Sequence, residues 1–111
     1  MFIYIMVMTR TQSRDRQLAQ LRALADSTRL RILQLLKKKG CCSCDEVDAR
    51  DAGMCVCDLE RELGLTQPTV THHLQVLRRA GLVECVRIGS WVYCRRDEAA
   101  LKALGATVAE M

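Results

Sequence analysis

The sequence lacks the features that would mark a membrane protein, a secreted protein or a thiol enzyme. Its N-terminal apolar run, Met1–Met8, is too short to span a bilayer and has neither a basic flank nor a small-residue cleavage site. No Cys-x-x-Cys motif lies beside a βαβ pattern, and no Cys/His/Asn set or cofactor motif occurs. These absences argue against an enzyme or a metallochaperone. We therefore expect a cytoplasmic protein that keeps its thiols reduced and has no membrane partner.

The length of 111 residues predicts one domain. We expect this domain over 11–111, with a cysteine-rich loop at 40–54 and an N-terminal extension over 1–10 that is disordered or dispensable. The apolar run in the extension has two explanations. Either the start is over-extended and the true beginning lies near Met8, or the run adds to a dimer interface.

The charged residues are unevenly distributed along the chain. Seventeen basic and thirteen acidic residues leave a mild net charge of +4. The segment Asp45–Glu62 holds seven acidic residues and two basic ones, whereas the rest of the chain holds fifteen basic residues and six acidic ones. A basic body with one acidic segment is consistent with nucleic-acid binding.

Apolar periodicity and capping residues predict a mainly α fold with one β-hairpin, in the order α-α-loop-α-α-β-β-α. Gly64 suits the turn after the third helix because glycine accepts a positive φ, and Pro68 is tolerated in the first turn of the fourth. Val83–Arg95 alternates around Gly89-Ser90, which is typical of a type II′ hairpin. The predicted helices are Thr11–Ala25, a segment from the capping cluster Asp26–Thr28 to Lys38, Val56–Leu63, Thr66–Ala80 and Asp97–Glu110.

The fourth helix has the pattern of a DNA-reading helix. Val70, Leu74 and Leu77 share the core face, while hydroxyl, amide, imidazole and guanidinium groups occupy the opposite arc. Such groups read base edges or hold phosphates. A short helix, a glycine turn and this helix match helix-turn-helix geometry, and the hairpin is a wing beside it. The predicted DNA-contacting residues are Gln67, Thr69, Thr71, His72, Gln75 and Arg79, with Arg87, Arg95 and Arg96 on the wing.

Four further side chains near this surface receive separate interpretations. His73 lies at the border of the core face, so we expect a structural role, whereas His72 points outward and is expected to contact DNA. Trp91 and Tyr93 alternate on the second wing strand, and we expect both to pack the wing against the body.

Several segments together resemble the ArsR/SmtB family over about residues 14 to 96. The resemblance implies a dimeric winged-helix repressor that binds palindromic double-stranded operator DNA and releases it on binding a metal or metalloid ion. The Cys-Val-Cys-Asp-Leu form is similar to the arsenite-sensing branch in particular. The segments that carry the resemblance are Ala25–Leu33, Cys55–Leu59, Thr66–Leu74, Gly81–Val83 and Gly89–Tyr93.

Cys55 and Cys57 lie at a predicted helix N-terminus, where the helix dipole favours the thiolate that binds soft ions. In the resembling arsenite sensors a third cysteine lies three residues after the second, where this chain has Glu60. We expect a loop cysteine, in the first instance Cys44, to fold back and complete the site across ten intervening residues. The expected inducer is As(III) or Sb(III), with Cd(II), Pb(II) or Zn(II) as alternatives. The candidate loop ligands are Cys41, Cys42 and Cys44.

Two other chemistries remain open for these thiols. Four thiolates would suit a closed tetrahedral zinc site with a structural role. Alternatively, the protein is a thiol-redox repressor whose cysteines form disulfides or persulfides instead of binding an ion.

Cys85 and Cys94 form a second pair. Counting outward from the Gly89-Ser90 turn places them directly opposite each other on the hairpin. Cross-strand neighbours are close enough for a disulfide or a shared soft ion. The alternative is that they are two small, half-buried wing residues without a chemical role.

Overall fold

The computed structural model describes residues 14–37 and 53–111, and these fold as five helices and a three-stranded sheet. The predicted winged helix-turn-helix order is confirmed, with one short strand added before the third helix. The predicted extension at 1–10, and the predicted loop at 40–54 except for Gly53 and Met54, lie outside the described residues. In chain order the elements are α1 (14–24), α2 (Ser27–Lys37), β1 (Met54–Cys55), α3 (Val56–Leu63), α4 (Gln67–Arg79), β2 (Val83–Ile88), β3 (Trp91–Arg96) and α5 (Glu98–Ala109).

The capping cluster before α2 resolves to a single acidic residue. The Asp26 carboxylate accepts hydrogen bonds from the backbone N–H groups of Thr28, at 2.9 Å, and Arg29, at 3.1 Å. Both groups would otherwise lack partners in the first turn of the helix. The helix then buries an apolar stripe of Ile32, Leu33, Leu35 and Leu36.

The turn between α3 and α4 follows the sequence prediction. Gly64 has φ 66° and ψ 30°, and its backbone N–H donates to the Glu60 carbonyl at 2.8 Å. Thr66 occupies the N-cap position of α4, as predicted. Its hydroxyl does not cap the helix, however, but lies 3.0 Å from the Thr69 hydroxyl. Pro68 takes a first-turn position that needs no backbone donor.

The hairpin has the predicted register. Ile88 pairs with Trp91 and Cys85 pairs with Cys94. Gly89 has φ +61°, and Ser90 does not share this positive φ. This combination fits a type II′ turn and excludes type I′, which needs a positive φ at both central residues.

Strand β1 was not predicted. It pairs antiparallel with β3, with Met54 opposite Cys94 and Cys55 opposite Tyr93, so that β3 is the central strand of the sheet. Gly53 has φ +112°, and a Cβ atom at this position would overlap the Cys94 carbonyl. Only glycine therefore lets the chain enter β1 so close to β3.

The core lies between α2, α3, α4 and the inner face of the sheet. Leu59, Leu77 and Leu82 are completely buried within it. Tyr93 is also buried, as predicted, but the expectation for Trp91 was wrong because 44% of its surface is exposed. Trp91 lies beside the turn at the exposed tip of the hairpin, whereas Tyr93 is covered by β1.

Helices α1 and α5 border a common groove, and each exposes apolar surface. The side chain of Asp97 begins α5 by accepting a hydrogen bond from the backbone N–H of Ala100 at 2.9 Å. Only Leu104 of this helix is buried. Leu18 on α1 and Val108 on α5 are 47% and 46% exposed. Across 14–37 and 53–111, no helix combines the length and apolarity needed to cross a membrane.

Candidate DNA-binding surface and thiol sites

Helix α4 presents a polar arc away from the core. Val70, Leu74 and Leu77 are buried on the inner side of the helix. Thr71 is half-buried at the edge of the arc. The predicted DNA-contacting residues that the helix exposes are Gln67, Thr69, His72, Gln75 and Arg79. The helix therefore offers hydroxyl, amide, imidazole and guanidinium groups together on one accessible surface.

His73 holds α4 against the junction between α1 and α2. Its Nδ1 atom lies 3.3 Å from Nη1 of Arg29. The same guanidinium donates through Nε to the Ala23 carbonyl at 2.6 Å. His73 is half-buried in this arrangement. These contacts match the structural role expected of it.

The wing arginines differ in what they contact. Arg87 is exposed, and its Nε donates to the Gly89 carbonyl at 3.3 Å. Arg95 is exposed and forms an ion pair with Glu84 across the hairpin at 3.0 Å. Both arginines can therefore reach a ligand beside α4.

Arg96 does not flank a groove as predicted. Its Nη1 donates to the Leu33 carbonyl in α2 at 3.3 Å, and its Nε pairs with Glu98 at 3.1 Å. As the last residue of β3 it lies next to α2, where its guanidinium satisfies a backbone carbonyl of that helix. Arg96 therefore anchors the base of the wing to the body.

Cys55 and Cys57 come together at the start of α3. Cys55 is the N-cap residue, with extended backbone and 1% exposure, and Cys57 follows in the first turn, half-buried. Their Sγ atoms lie 2.6 Å apart. Two adjacent sulfurs at a helix N-terminus are a suitable partial ligand set for a thiophilic ion, because the helix dipole favours their negative charge.

No described residue completes a site around this pair. Within 14–37 and 53–111, no group of three or more His, Cys, Asp or Glu side chains is arranged to hold a metal ion. Glu60, which stands at the expected third position, lines the same cavity as the two sulfurs but does not complete such a group. The predicted ligands Cys41, Cys42 and Cys44 lie outside the described residues.

The two thiol pairs border a single cavity of about 470 Å³ between α4, the sheet and the start of α3. Sequence reasoning treated the pairs as separate, because nearly thirty residues divide Cys57 from Cys85 and no local pattern connects them. It also missed Arg78 as a member of the cavity wall. The lining includes all four described cysteines, Cys55, Cys57, Cys85 and Cys94, together with Gln67, Thr71, Gln75, Arg78 and Trp91.

The wing thiols are unequal. Cys94 is completely buried in the central strand, and Cys85 is half-buried. A hydrogen bond between the two thiols lowers the pKa of Cys85, to which the nearby Arg78 guanidinium also contributes. The same hydrogen bond, together with burial, raises the pKa of Cys94. Cys85 is therefore the thiol that ionises first, and Cys94 donates its S–H to it.

Comparison with known proteins places this architecture among bacterial regulators. A helix-turn-helix domain model matches residues 24–86. The chain is 38% identical over 85 residues to the uncharacterized HTH-type transcriptional regulator YbzH of Bacillus subtilis, covering 75% of this chain and 85% of that protein. It is 39% identical over 74 residues to the arsenic resistance transcriptional regulator ArsR1 of Pseudomonas putida, covering 67% of this chain and 48% of that protein.

A solved structure has the same fold. It is the solution NMR structure of a homodimeric winged helix-turn-helix DNA-binding domain from Mycobacterium bovis, described as a possible ArsR-family regulator. The TM-score is 0.65 at 24% identity, covering 89% of this chain and 81% of that one. The chain thus spans most of two of these proteins and about half of the arsenic resistance regulator.

Proposed function

This chain belongs to the ArsR family of winged helix-turn-helix transcriptional regulators, and from that membership we propose that it is a repressor released from operator DNA by a thiophilic ion. The observation that carries the proposal is the position of Cys55 and Cys57. Both sulfurs lie at the first turn of α3, the helix that precedes the DNA-reading helix α4. A ligand bound there acts directly on the helix-turn-helix.

The proposed inducer is As(III) or Sb(III). A trivalent metalloid takes soft sulfur ligands in a trigonal arrangement, and Cys55 and Cys57 supply two of them. One of the three loop cysteines supplies the third, with Cys44 first among them. The similarity to an arsenic resistance regulator supports this choice over Cd(II), Pb(II) or Zn(II).

The DNA-binding form is proposed to be a homodimer on a palindromic operator. Two copies of α4 would enter successive major grooves about 34 Å apart. The exposed apolar side chains of Leu18 on α1 and Val108 on α5 offer an interface beside the groove between these helices. The homodimeric Mycobacterium bovis domain supports the same arrangement.

Release requires that ion capture moves the DNA-reading elements. Cys57 belongs to α3, and Cys55 belongs to β1, which pairs with the wing strand β3. Drawing both sulfurs toward a loop ligand shifts the start of α3 and the base of the wing together. A coupling free energy of about 1–3 kcal/mol would weaken operator affinity by roughly 5–150-fold. Operator DNA must weaken ion binding by the same factor.

The test is an anaerobic operator titration under reducing conditions, followed by fluorescence anisotropy with arsenite, antimonite, cadmium, lead and zinc. Cys55→Ser should bind the operator normally and lose release by arsenite. Val56→Ala is the matched control, because it alters the same turn and keeps both sulfurs. Normal release of the Cys55→Ser variant by arsenite would contradict the proposal.

A thiol-redox repressor is the second candidate, favoured by the 2.6 Å contact between the Cys55 and Cys57 sulfurs. In that case oxidation of the thiols, rather than ion binding, would release DNA. The same anaerobic titration separates the two functions, because only an ion sensor responds to arsenite in the absence of an oxidant.

A further inference from the structure

The two cysteines of the wing occupy the kind of strand position at which a disulfide closes without moving the backbone. The two-residue turn makes Ile88 and Trp91 the hydrogen-bonded pair that closes the hairpin. Because hydrogen-bonded and non-hydrogen-bonded pairs alternate along an antiparallel ladder, Cys85 and Cys94 form a non-hydrogen-bonded pair. Such pairs have Cα atoms about 4.5 Å apart, within the range of about 4.4 to 6.8 Å that disulfides span.

The surroundings of the two sulfurs divide the chemical roles between them. Cys85 is half-buried and borders two cavities, one shared with Cys55 and Cys57 and one lined by Arg16 and Arg78. A small oxidant can therefore approach its sulfur. Cys94 is completely buried in the central strand, with its thiol directed at Cys85.

We propose that the wing hairpin is a peroxide-reactive dithiol, in which Cys85 is oxidised first and Cys94 converts the product into a cross-strand disulfide. This modification site is independent of the ion proposed above, because it uses neither Cys55 nor Cys57. The oxidant is a hydroperoxide, either hydrogen peroxide or an alkyl hydroperoxide.

The reaction has two balanced steps. The Cys85 thiolate attacks one peroxide oxygen, the O–O bond breaks, and Cys85 becomes a sulfenic acid while hydroxide or an alkoxide departs. The Cys94 sulfur then attacks the Cys85 sulfur, the S–O bond breaks, and the Cys94 proton leaves with the hydroxyl group as water. Two electrons pass from the two sulfurs to one peroxide, and one disulfide forms.

The ionisation of the pair supports this order. The hydrogen bond from Cys94 and the Arg78 guanidinium lower the pKa of Cys85, and the thiolate is the form that reacts with peroxide. The raised pKa of Cys94 keeps its thiol protonated until Cys85 is oxidised. A buried thiol held against the first sulfur is placed to resolve a sulfenic acid before further oxidation.

The experiment uses the full chain, reduced, treated with hydrogen peroxide, alkylated and digested with trypsin without reductant. Cleavage after Arg79, Arg87 and Arg95 puts the two wing cysteines in separate peptides, Ala80–Arg87 and Ile88–Arg95. Wild type should give these peptides joined, with the loss of two hydrogen atoms. Cys85→Ser should give no joined peptide. Both wing cysteines recovered fully alkylated, while other cysteines are oxidised, would overturn the proposal.

A second variant tests the division of roles. Cys94→Ala should stop the reaction at a Cys85 sulfenic acid, which dimedone traps on Ala80–Arg87. Because Cys94 is buried and this variant could fail to fold, the relative alkylation of the wild-type thiols by iodoacetamide provides an independent measurement. Cys85 should react at least about tenfold faster than Cys94. Faster reaction at Cys94, or a sulfenic acid trapped on Cys94 in Cys85→Ser, would overturn the assignment.

Discussion

Cys55 lies directly opposite Tyr93 where β1 pairs with the central strand β3, and both side chains are buried. Cys55 is also the N-cap residue of α3. One residue therefore belongs to the thiol pair, to the first helix of the helix-turn-helix and to the sheet that forms the wing. A displacement of its sulfur cannot stay local, because each of these elements is packed against α4.

Gly53→Ala should weaken the connection between the thiol pair and the wing. Alanine at φ +112° is strained, and its Cβ overlaps the Cys94 carbonyl, so β1 must separate from β3. We expect a loss of about 1–3 kcal/mol in the free energy of unfolding, measured in urea. Gly105→Ala is the control, since that glycine lies within α5 with open space where a Cβ would stand, and its replacement should be neutral or stabilising. Equal stability of the two variants would contradict the role given to Gly53.

Arg79→Ala and Arg96→Ala should have different effects, although both remove a guanidinium near the DNA-reading surface. Arg79 is exposed on α4, so its loss should weaken binding to all duplexes and reduce the salt slope by about 0.9 per phosphate contact. Arg96 holds the Leu33 carbonyl and Glu98, so its loss should lower the free energy of unfolding by about 1 kcal/mol and leave the salt slope unchanged. A reduced slope for Arg96→Ala would place that side chain on DNA after all.

The Asp26 cap should make stability depend on pH in acid. Hydrogen bonds from the backbone of Arg29, together with its guanidinium, hold the pKa of this carboxyl below its ordinary value of 3.8. The stabilisation is therefore complete above that value and is lost as the pH falls through the lower folded pKa. Unfolding free energies of wild type and Asp26→Ala should differ near neutral pH and converge in acid. Asp15→Ala, an exposed site on α1, should show no such convergence.

Glu60→Cys should strengthen arsenite binding. It places a sulfur three residues after Cys57 in the wall of the same cavity, and so completes a trigonal set without a loop ligand. We expect a decrease in the dissociation constant of at least about tenfold, equivalent to about 1.4 kcal/mol. Glu62→Cys adds a thiol on the exposed side of α3 and should leave the constant unchanged. The measurement is competition with a chromogenic dithiol under anaerobic conditions.

Leu18→Glu should weaken dimerisation. A charge at this position on α1 would have to be buried in the proposed interface with α5. Sedimentation velocity should show a shift from dimer to monomer, with a matching loss of operator affinity. Leu30→Glu is the control because Leu30 is apolar and equally exposed, at 45% against 47%, but lies on α2. Dissociation of the control alone would move the interface to α2.

Local chemistry made much of the helix-turn-helix predictable. Gly64 terminates α3 because its left-handed conformation suits glycine, and the hairpin register follows from counting outward from Gly89. The same counting paired Cys85 with Cys94. The start of α3 beside Cys55 was likewise readable, because the apolar pattern of the helix begins there.

By itself, the sequence determined the order of the helices, the turn before the DNA-reading helix, the pairing of the wing and the residue types of both thiol pairs. These depend on interactions within a few residues, and each leaves a local pattern. Only the tertiary structure decided that β1 joins the sheet, that Arg96 turns back to the body and that Trp91 stays exposed. It also brought both thiol pairs to one cavity. A two-residue strand has no periodicity, and a cavity shared by distant segments exists only when the packing of α4 against the sheet closes it.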